Sequence, residues 1–276
     1  MIPRADITAW RHIAPWSTDA QVEQDLVLSR ALVEIYSDPQ LSGALAMRGG
    51  TALHKLYLGP ASRYSEDIDL VQIRPGAIGP LIDNLRFRLD AWLGEPRRKQ
   101  SEGRMTMTYR FDSEIPPITP LRLKVEVNTR EHFSVLNFVE MPIRVSSPWF
   151  QGSSQVVTYP LEELLGTKLR AMYQRKKGRD LFDVAIAIAQ RPDLDPRAVV
   201  NCFRRYMEFA GTRVSRADFE ANLASKVTDP VFLGDVAPLL RQDDGRIEGF
   251  DALRGAEAIR RTFTSHLPGE PWKGGE

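Results

Sequence analysis

Two hydrophobic periods divide the chain. Over residues 121–128, Leu121, Leu123, Val125 and Val127 alternate without exception with Arg122, Lys124, Glu126 and Asn128. Period two marks a strand with one buried face. The polar face either meets open solvent or floors a cleft. Residues 105–111 alternate in the same way, and 44–47, 138–145 and 155–158 are further strand segments. Residues 113–120 read as a proline-rich turn. Loops are expected at 151–154 and around the basic group Arg97, Arg98, Lys99 and Arg104.

Helical patterns surround these strands. Ser17-Thr18-Asp19 precedes Val22, Leu26, Leu28 and Leu32, the pattern of a capped amphipathic helix that runs to Tyr36 and packs on the sheet. Residues 51–58 form a helix with Leu53, Leu56 and Tyr57 inward, His54 and Lys55 outward, and a stop at Gly59-Pro60. Residues 78–93 form another, with Ile82, Leu85 and Leu89 apolar. Near Pro160 the period changes from two to 3.6. Leu161, Leu164, Leu165, Leu169 and Met172 then make one stripe, and helices follow at 197–209, 216–226, 231–240 and 252–263. Arg204, Arg205 and Tyr206 read as ordinary surface. The expected organisation is an α/β domain over 1–159, built on a mixed sheet with flanking helices, and an α-helical domain over 160–276.

Composition narrows the class without naming a chemistry. The 276 residues are 42% hydrophobic and 26% charged, as in an ordinary soluble globular protein. No apolar run is long enough to span a membrane, and the first eleven residues lack a secretion signal. The single Cys202 excludes an intrachain disulfide and suits a reducing cytoplasm. The four histidines have no zinc-like spacing. A net charge of +1 means that any nucleic-acid binding uses a local patch.

The candidate chemistry lies between Met47 and Leu70. Asp67-Ile68-Asp69-Leu70 has the apolar content of a buried strand, and its two aspartates share a face. Adjacent carboxylates there repel and resist desolvation. A divalent cation relieves both costs, and Mg²⁺ accepts one or two carboxylates together with substrate phosphates. Just upstream, Gly49-Gly50-Thr51 opens a helix where backbone N–H groups can approach a phosphate. Arg63 either braces the intervening loop through Glu66 or touches a triphosphate. In the helical half, Lys168 projects from the middle of an apolar stripe; it either snorkels to water or reaches a polar cleft.

The strings G-G-T-A-L and R-Y-S-E-D-I-D-L, in this order, resemble the nucleotidyltransferase fold shared with DNA polymerase β. They are most similar to its AbiEii/AbiGii-type toxin branch, which includes the MenT-like proteins. Arg63, Ser65, Glu66, Asp67 and Asp69 carry the match, and Thr51 departs from the usual serine. The later run K-L-R-A-M-Y-Q-R-K-K-G-R-D-L-F-D-V resembles the same branch, so the likeness covers roughly residues 40 to 190.

The resemblance implies transfer of a nucleoside monophosphate from a nucleoside triphosphate (NTP), with pyrophosphate leaving. Asp67, Asp69 and Glu126 would hold two Mg²⁺ ions. Gly49, Gly50, Thr51, Arg63 and Lys168 would bind the nucleotide. Asp67, Asp69, Glu126, Lys168 and Asp183 would be the catalytic set, although Asp183 also suits a simple helix pair with Arg179. A cognate antitoxin and the tRNA 3′ end are the implied partners, in the cytoplasm. Rival readings are transfer to a protein or small molecule, a two-metal nuclease, and a non-catalytic binding module.

Overall fold

The computed structural model describes residues 2–59, 63–240 and 250–274. Among them, seven strands pair into one sheet: β1 (Leu45–Arg48), β2 (Asp67–Gln72), β3 (Arg97–Ser101), β4 (Arg104–Asp112), β5 (Pro120–Asn128), β6 (Val139–Ser146) and β7 (Gln151–Thr158). Their order is β3-β4-β5-β2-β1-β7-β6. The β2–β5 and β1–β7 pairs are parallel and the others antiparallel, so the sheet is mixed. The alternation of residues 121–128 holds: Leu123, Val125 and Val127 are fully buried, with Met107 and Tyr109 beside them on β4.

Two expected loops are strands instead. Arg97–Ser101 is the exposed edge strand β3, paired throughout with β4. Edge pairing rests on backbone hydrogen bonds and tolerates, even favours, charged side chains. Residues 151–154 form the first half of β7, opposite Ser146 to Ile143. Glycine and serine have low strand propensity, but the long β6 partner overrides it.

The helices of the sheet unit are α1 (Arg4–Trp10), α2 (Asp19–Tyr36), the short α3 (Pro39–Ser42), α4 (Gly49–Ala52) and α5 (Gly79–Leu93). Thr18 and Gln21 close a capping box at the start of α2. α2 lies on β5, β6 and β7 and fully buries Val22, Leu26, Leu28 and Leu32. Its Gln24 donates to the Arg122 carbonyl of β5 at 2.7 Å. The expected helix over 51–58 starts earlier, at Gly49, and from Leu53 to Leu58 it widens into a π-helix. The wider coil turns different residues inward. Leu53, His54 and Leu58 are buried, whereas Leu56 and Tyr57 are half-buried. Gly59 ends this segment with φ +71°; Pro60, the other half of the expected stop, lies outside the described residues.

This unit ends at Tyr159, and a second compact unit starts at Pro160. It contains α6 (Leu161–Gln174), α7 (Gly178–Gln190), α8 (Pro196–Phe209), α9 (Arg216–Lys226), α10 (Pro230–Gly234) and α11 (Ala252–Phe263). α6 and α8 meet at Gly166, where an added Cβ would stand 2.6 Å from Cys202 Cβ and 2.9 Å from the Phe203 nitrogen. Cys202 is fully buried there, and burial pushes its thiol pKa up to about 12. Tyr206 is core rather than surface, and its hydroxyl donates to buried Glu163 at 2.7 Å. The expected helix over 231–240 stops at Gly234 and resumes only as a 3₁₀ turn, Ala237–Leu239. Pro238 lacks the N–H that would continue the ladder. Among the described residues no helix is long and apolar enough to cross a membrane.

Candidate active site

The parallel pairing of β2 with β5 assembles the acidic residues. Asp67 is level with Lys124, and Asp69 with Glu126. Ile68, Leu70, Val125 and Val127 turn into the core, so the four charged side chains share the opposite face. That face is recessed, with the Lys124 and Glu126 side chains only 30% and 20% exposed. Arg48, at the end of β1, is level with Asp69 and pairs with Glu131.

The charges are partly matched. Lys124 Nζ lies 2.8 Å from Asp67 Oδ2 and 3.8 Å from Glu126 Oε2. Arg104 Nε lies 3.1 Å from Glu126 Oε1. Burial would lower the Lys124 pKa, but the hydrogen bond to Asp67 and the charges of Asp67, Asp69 and Glu126 outweigh it and raise it. One acceptor is left over. Among the described residues, Asp67 Oδ1 is buried and has no hydrogen-bond partner. A buried carboxylate oxygen without a partner is costly.

The Gly-Gly turn lies against this carboxylate pair. Gly49 has φ +85°, and an added Cβ would fall 2.2 Å from Asp69 Oδ2. Glycine is therefore required there twice, by backbone conformation and by the close approach of Asp69. The Thr51 hydroxyl lies 2.8 Å from Ser65 Oγ and donates to the Asp67 carbonyl. Thr51 thus pins the helix start to β2. Arg63 is buried, donates to the Tyr64 carbonyl at 3.0 Å, and brings its Nη2 to 2.5 Å from where a Cβ on Gly50 would stand. Glu66 faces Arg122 at 3.7 Å.

A divalent cation fits these residues in part. Asp67 supplies a hard oxygen with an unused lone pair, and Asp69 stands two residues on along the same face, as Mg²⁺ binding by one or two carboxylates requires. Glu126 has the right strand, face and register, but Arg104 and Lys124 hold its carboxylate. Among the described residues, no three His, Cys, Asp or Glu side chains converge as a ready-made cage.

In the helical unit, Lys168 is buried and ion-paired rather than snorkelling. Its Nζ lies 2.7 Å from Asp183 Oδ2 and 3.3 Å from Asp180 Oδ1. Arg175 grips Asp180 with two hydrogen bonds of 2.7 and 2.9 Å. Burial alone would raise the Asp180 pKa; Lys168 and Arg175 outweigh it and lower it. Asp183 therefore takes Lys168, and Arg179 turns to Asp235 at 3.9 Å.

Sequence reasoning missed another buried carboxylate. Asp25, 1% exposed, accepts from Trp10 Nε1 at 2.9 Å, from Trp16 Nε1 at 3.0 Å and from Lys55 Nζ at 2.6 and 2.7 Å. Lys55 is thus not the exposed residue expected, nor is His54, which is buried. The available signal was Asp25 itself, a charge among the apolar positions of α2.

A family model described as "Nucleotidyl transferase AbiEii toxin, Type IV TA system" matches residues 30–260. No curated protein matches the sequence. Among solved structures, the chain is similar to MenT4, a nucleotidyltransferase toxin of Mycobacterium tuberculosis, with 14% identity, a TM-score of 0.58, and 95% of this chain and 89% of that one covered. It is also similar to an H. pylori protein assigned as a nucleotidyltransferase, with 16% identity, a TM-score of 0.57, and 89% and 93% covered. At these identities the likeness concerns the fold.

Proposed function

Because the chain belongs to the AbiEii family of nucleotidyl transferase toxins, and is therefore a nucleotidyltransferase of a toxin–antitoxin system, we propose that it moves a nucleoside monophosphate from an NTP to the 3′ end of tRNA, with Mg²⁺. One observation carries the proposal. Asp67 and Asp69 share a recessed face with Glu126, and Asp67 keeps a buried oxygen with no partner among the described residues.

Asp67 and Asp69 would hold two Mg²⁺ ions, with Glu126 joining once Arg104 and Lys124 yield. The metal would supply charge neutralisation on the attacking and departing oxygens. The chain's own residues do the rest. Backbone N–H groups at Gly49 and Gly50 orient the triphosphate. Thr51 holds that turn against β2, and Arg63 braces it from below. Glu126 takes the proton of the attacking hydroxyl, and Arg104 holds its carboxylate only until the metal and substrate arrive. Lys124 offsets the negative charge of the carboxylates before substrate arrives. Catalysis is then mostly positioning and fixed electrostatics. Lys168 and Asp183 enter on the motif resemblance alone. A cytoplasmic setting follows from the substrates, and the family implies an antitoxin as partner.

Incubating the purified protein with α-labelled nucleotides, Mg²⁺ and total RNA tests this reading. Label should appear on tRNA, and Asp69→Ala should reduce it by at least about 100-fold without unfolding the protein. Undiminished labelling by that variant removes the metal site. Label on protein or on a small molecule instead of RNA moves the acceptor. Lys168→Ala should raise the KM for NTP or slow turnover; wild-type kinetics would make Lys168 a packing residue.

A further inference from the structure

The polar face that carries Asp67 and Asp69 continues past β5, across β4 and β3. Strand register orders it in rows. Asp69 is level with Glu126, Glu126 with Thr106, and Thr106 with Lys99. The next row runs Asp67, Lys124, Thr108, Arg97. A third sets Arg122 opposite Arg110. Residues directly across a ladder share a face, so each row leads from acid to cation or adds a cation. Three strand spacings separate Asp69 from Lys99, about 14 Å.

The cations of this ledge are poorly matched within the protein. β3 is exposed along its length, and Arg110 is exposed. Among the described residues Arg97, Lys99 and Arg110 have no ion-pair partner, and Arg122 reaches only Glu66, at 3.7 Å. Arg110 opposite Arg122 is a like-charge pair, which destabilises a sheet. Only Thr106 and Thr108, with short hydroxyl side chains, stand between the outer cations and the β5 row in register.

We infer that this ledge holds the sugar–phosphate backbone of a single-stranded RNA acceptor, with its 3′ hydroxyl directed toward Asp67 and Asp69. The inference rests on the proposed transfer to RNA and adds where the RNA lies. Arg97 and Lys99 are two residues apart on a strand, about 7 Å, so they suit successive charges of a polyanion rather than one phosphate. The triphosphate belongs beside Gly49, at the end of β1, four strand positions from β3. The competing account is that β3 is charged only to prevent edge-to-edge pairing.

The test uses the full chain and the variant Arg97→Gln/Lys99→Gln/Arg110→Gln, with none of the proposed metal ligands changed. The probe is a 5′-fluorescein-labelled single-stranded RNA of about twelve nucleotides with a free 3′ hydroxyl. Its binding is followed by anisotropy between about 50 and 200 mM salt. For the wild type, log K should fall linearly with log salt. For the variant the slope should be smaller by about 2, and low-salt affinity weaker by about tenfold or more. The KM for RNA should rise similarly while the KM for NTP holds. Arg97→Lys/Arg110→Lys, which keeps the charge, should restore the slope. Equal slope and affinity in the triple variant overturn the ledge, as does self-association of the variant with RNA binding intact, which would mark β3 as edge protection. A wild type that binds RNA with this slope but labels only protein overturns the acceptor reading instead, and leaves the ledge as an RNA surface.

Discussion

Single residues carry more than one constraint at the centre of the site. Gly49 is both a left-handed backbone position and the surface that Asp69 touches. Gly49→Ala should therefore do two kinds of damage. The backbone conformation costs about 1–2 kcal/mol for a side-chain-bearing residue, and the methyl group displaces the Asp69 carboxylate. The expected result is a modest fall in Tm with near-complete loss of nucleotidyl transfer. Wild-type turnover at an unchanged KM for NTP would show that Asp69 need not stay where it lies. Lys55 and Lys168 teach a complementary lesson. Each was an isolated lysine on a helix by sequence, and each is held by buried aspartate: Lys55 by Asp25, Lys168 by Asp180 and Asp183. Their partners lie 30, 12 and 15 positions away, beyond any helical spacing rule.

At the scale of elements, the helical unit depends on two close contacts. The first is the α6–α8 crossing at Gly166, where an added Cβ meets backbone atoms that cannot move aside. Gly166→Ala should cost about 1–3 kcal/mol, read as a lower urea midpoint with an unchanged slope. The second is the tie between α6 and α7 through Lys168, Asp180 and Arg175. Asp180 has a lowered pKa in the fold, so its unfolded form binds protons first as pH falls. Its contribution is complete above the unfolded value near 3.9 and disappears as pH falls through the lower folded value. Asp180→Asn should thus be less stable than the wild type at neutral pH and should lose less stability between about pH 5 and 3. Parallel acid titration curves for the two proteins would contradict that sign. The π-helical segment Leu53–Leu58 belongs to this scale too. Its wider coil buries His54 and Leu58 beside Leu53 and leaves Leu56 and Tyr57, expected inward, half-buried.

For the whole molecule, the family makes the protein one member of a toxin–antitoxin pair. If toxicity comes from nucleotidyl transfer, expression of the wild type should arrest growth and expression of Asp69→Ala should not, at equal protein level. Arrest by both would trace toxicity to something other than Asp69-dependent chemistry. Co-expression of the antitoxin should restore growth only where the wild type had stopped it. The sheet face supports the same chemistry at this scale. Its acidic residues lie on β2 and β5 and its cations on β5, β4 and β3, while the chain's net charge is only +1, so the field is local, set by register rather than by composition.

Much of this was written locally. The strict alternation of residues 121–128, the Thr18 cap, and the change of period at Pro160 specify their elements because each depends on neighbours within a few positions. The Gly-Gly-Thr and Asp-Ile-Asp strings announce the family for the same reason. What the sequence could not contain was pairing. That Asp69 is level with Glu126, that Arg104 and Lys124 hold Glu126, and that Arg97 and Lys99 belong to an edge strand all follow from which strands lie side by side. Register is decided by the burial of Ile68, Leu70, Val125 and Val127 together, and slipping a strand by one residue would turn every one of them to the wrong face.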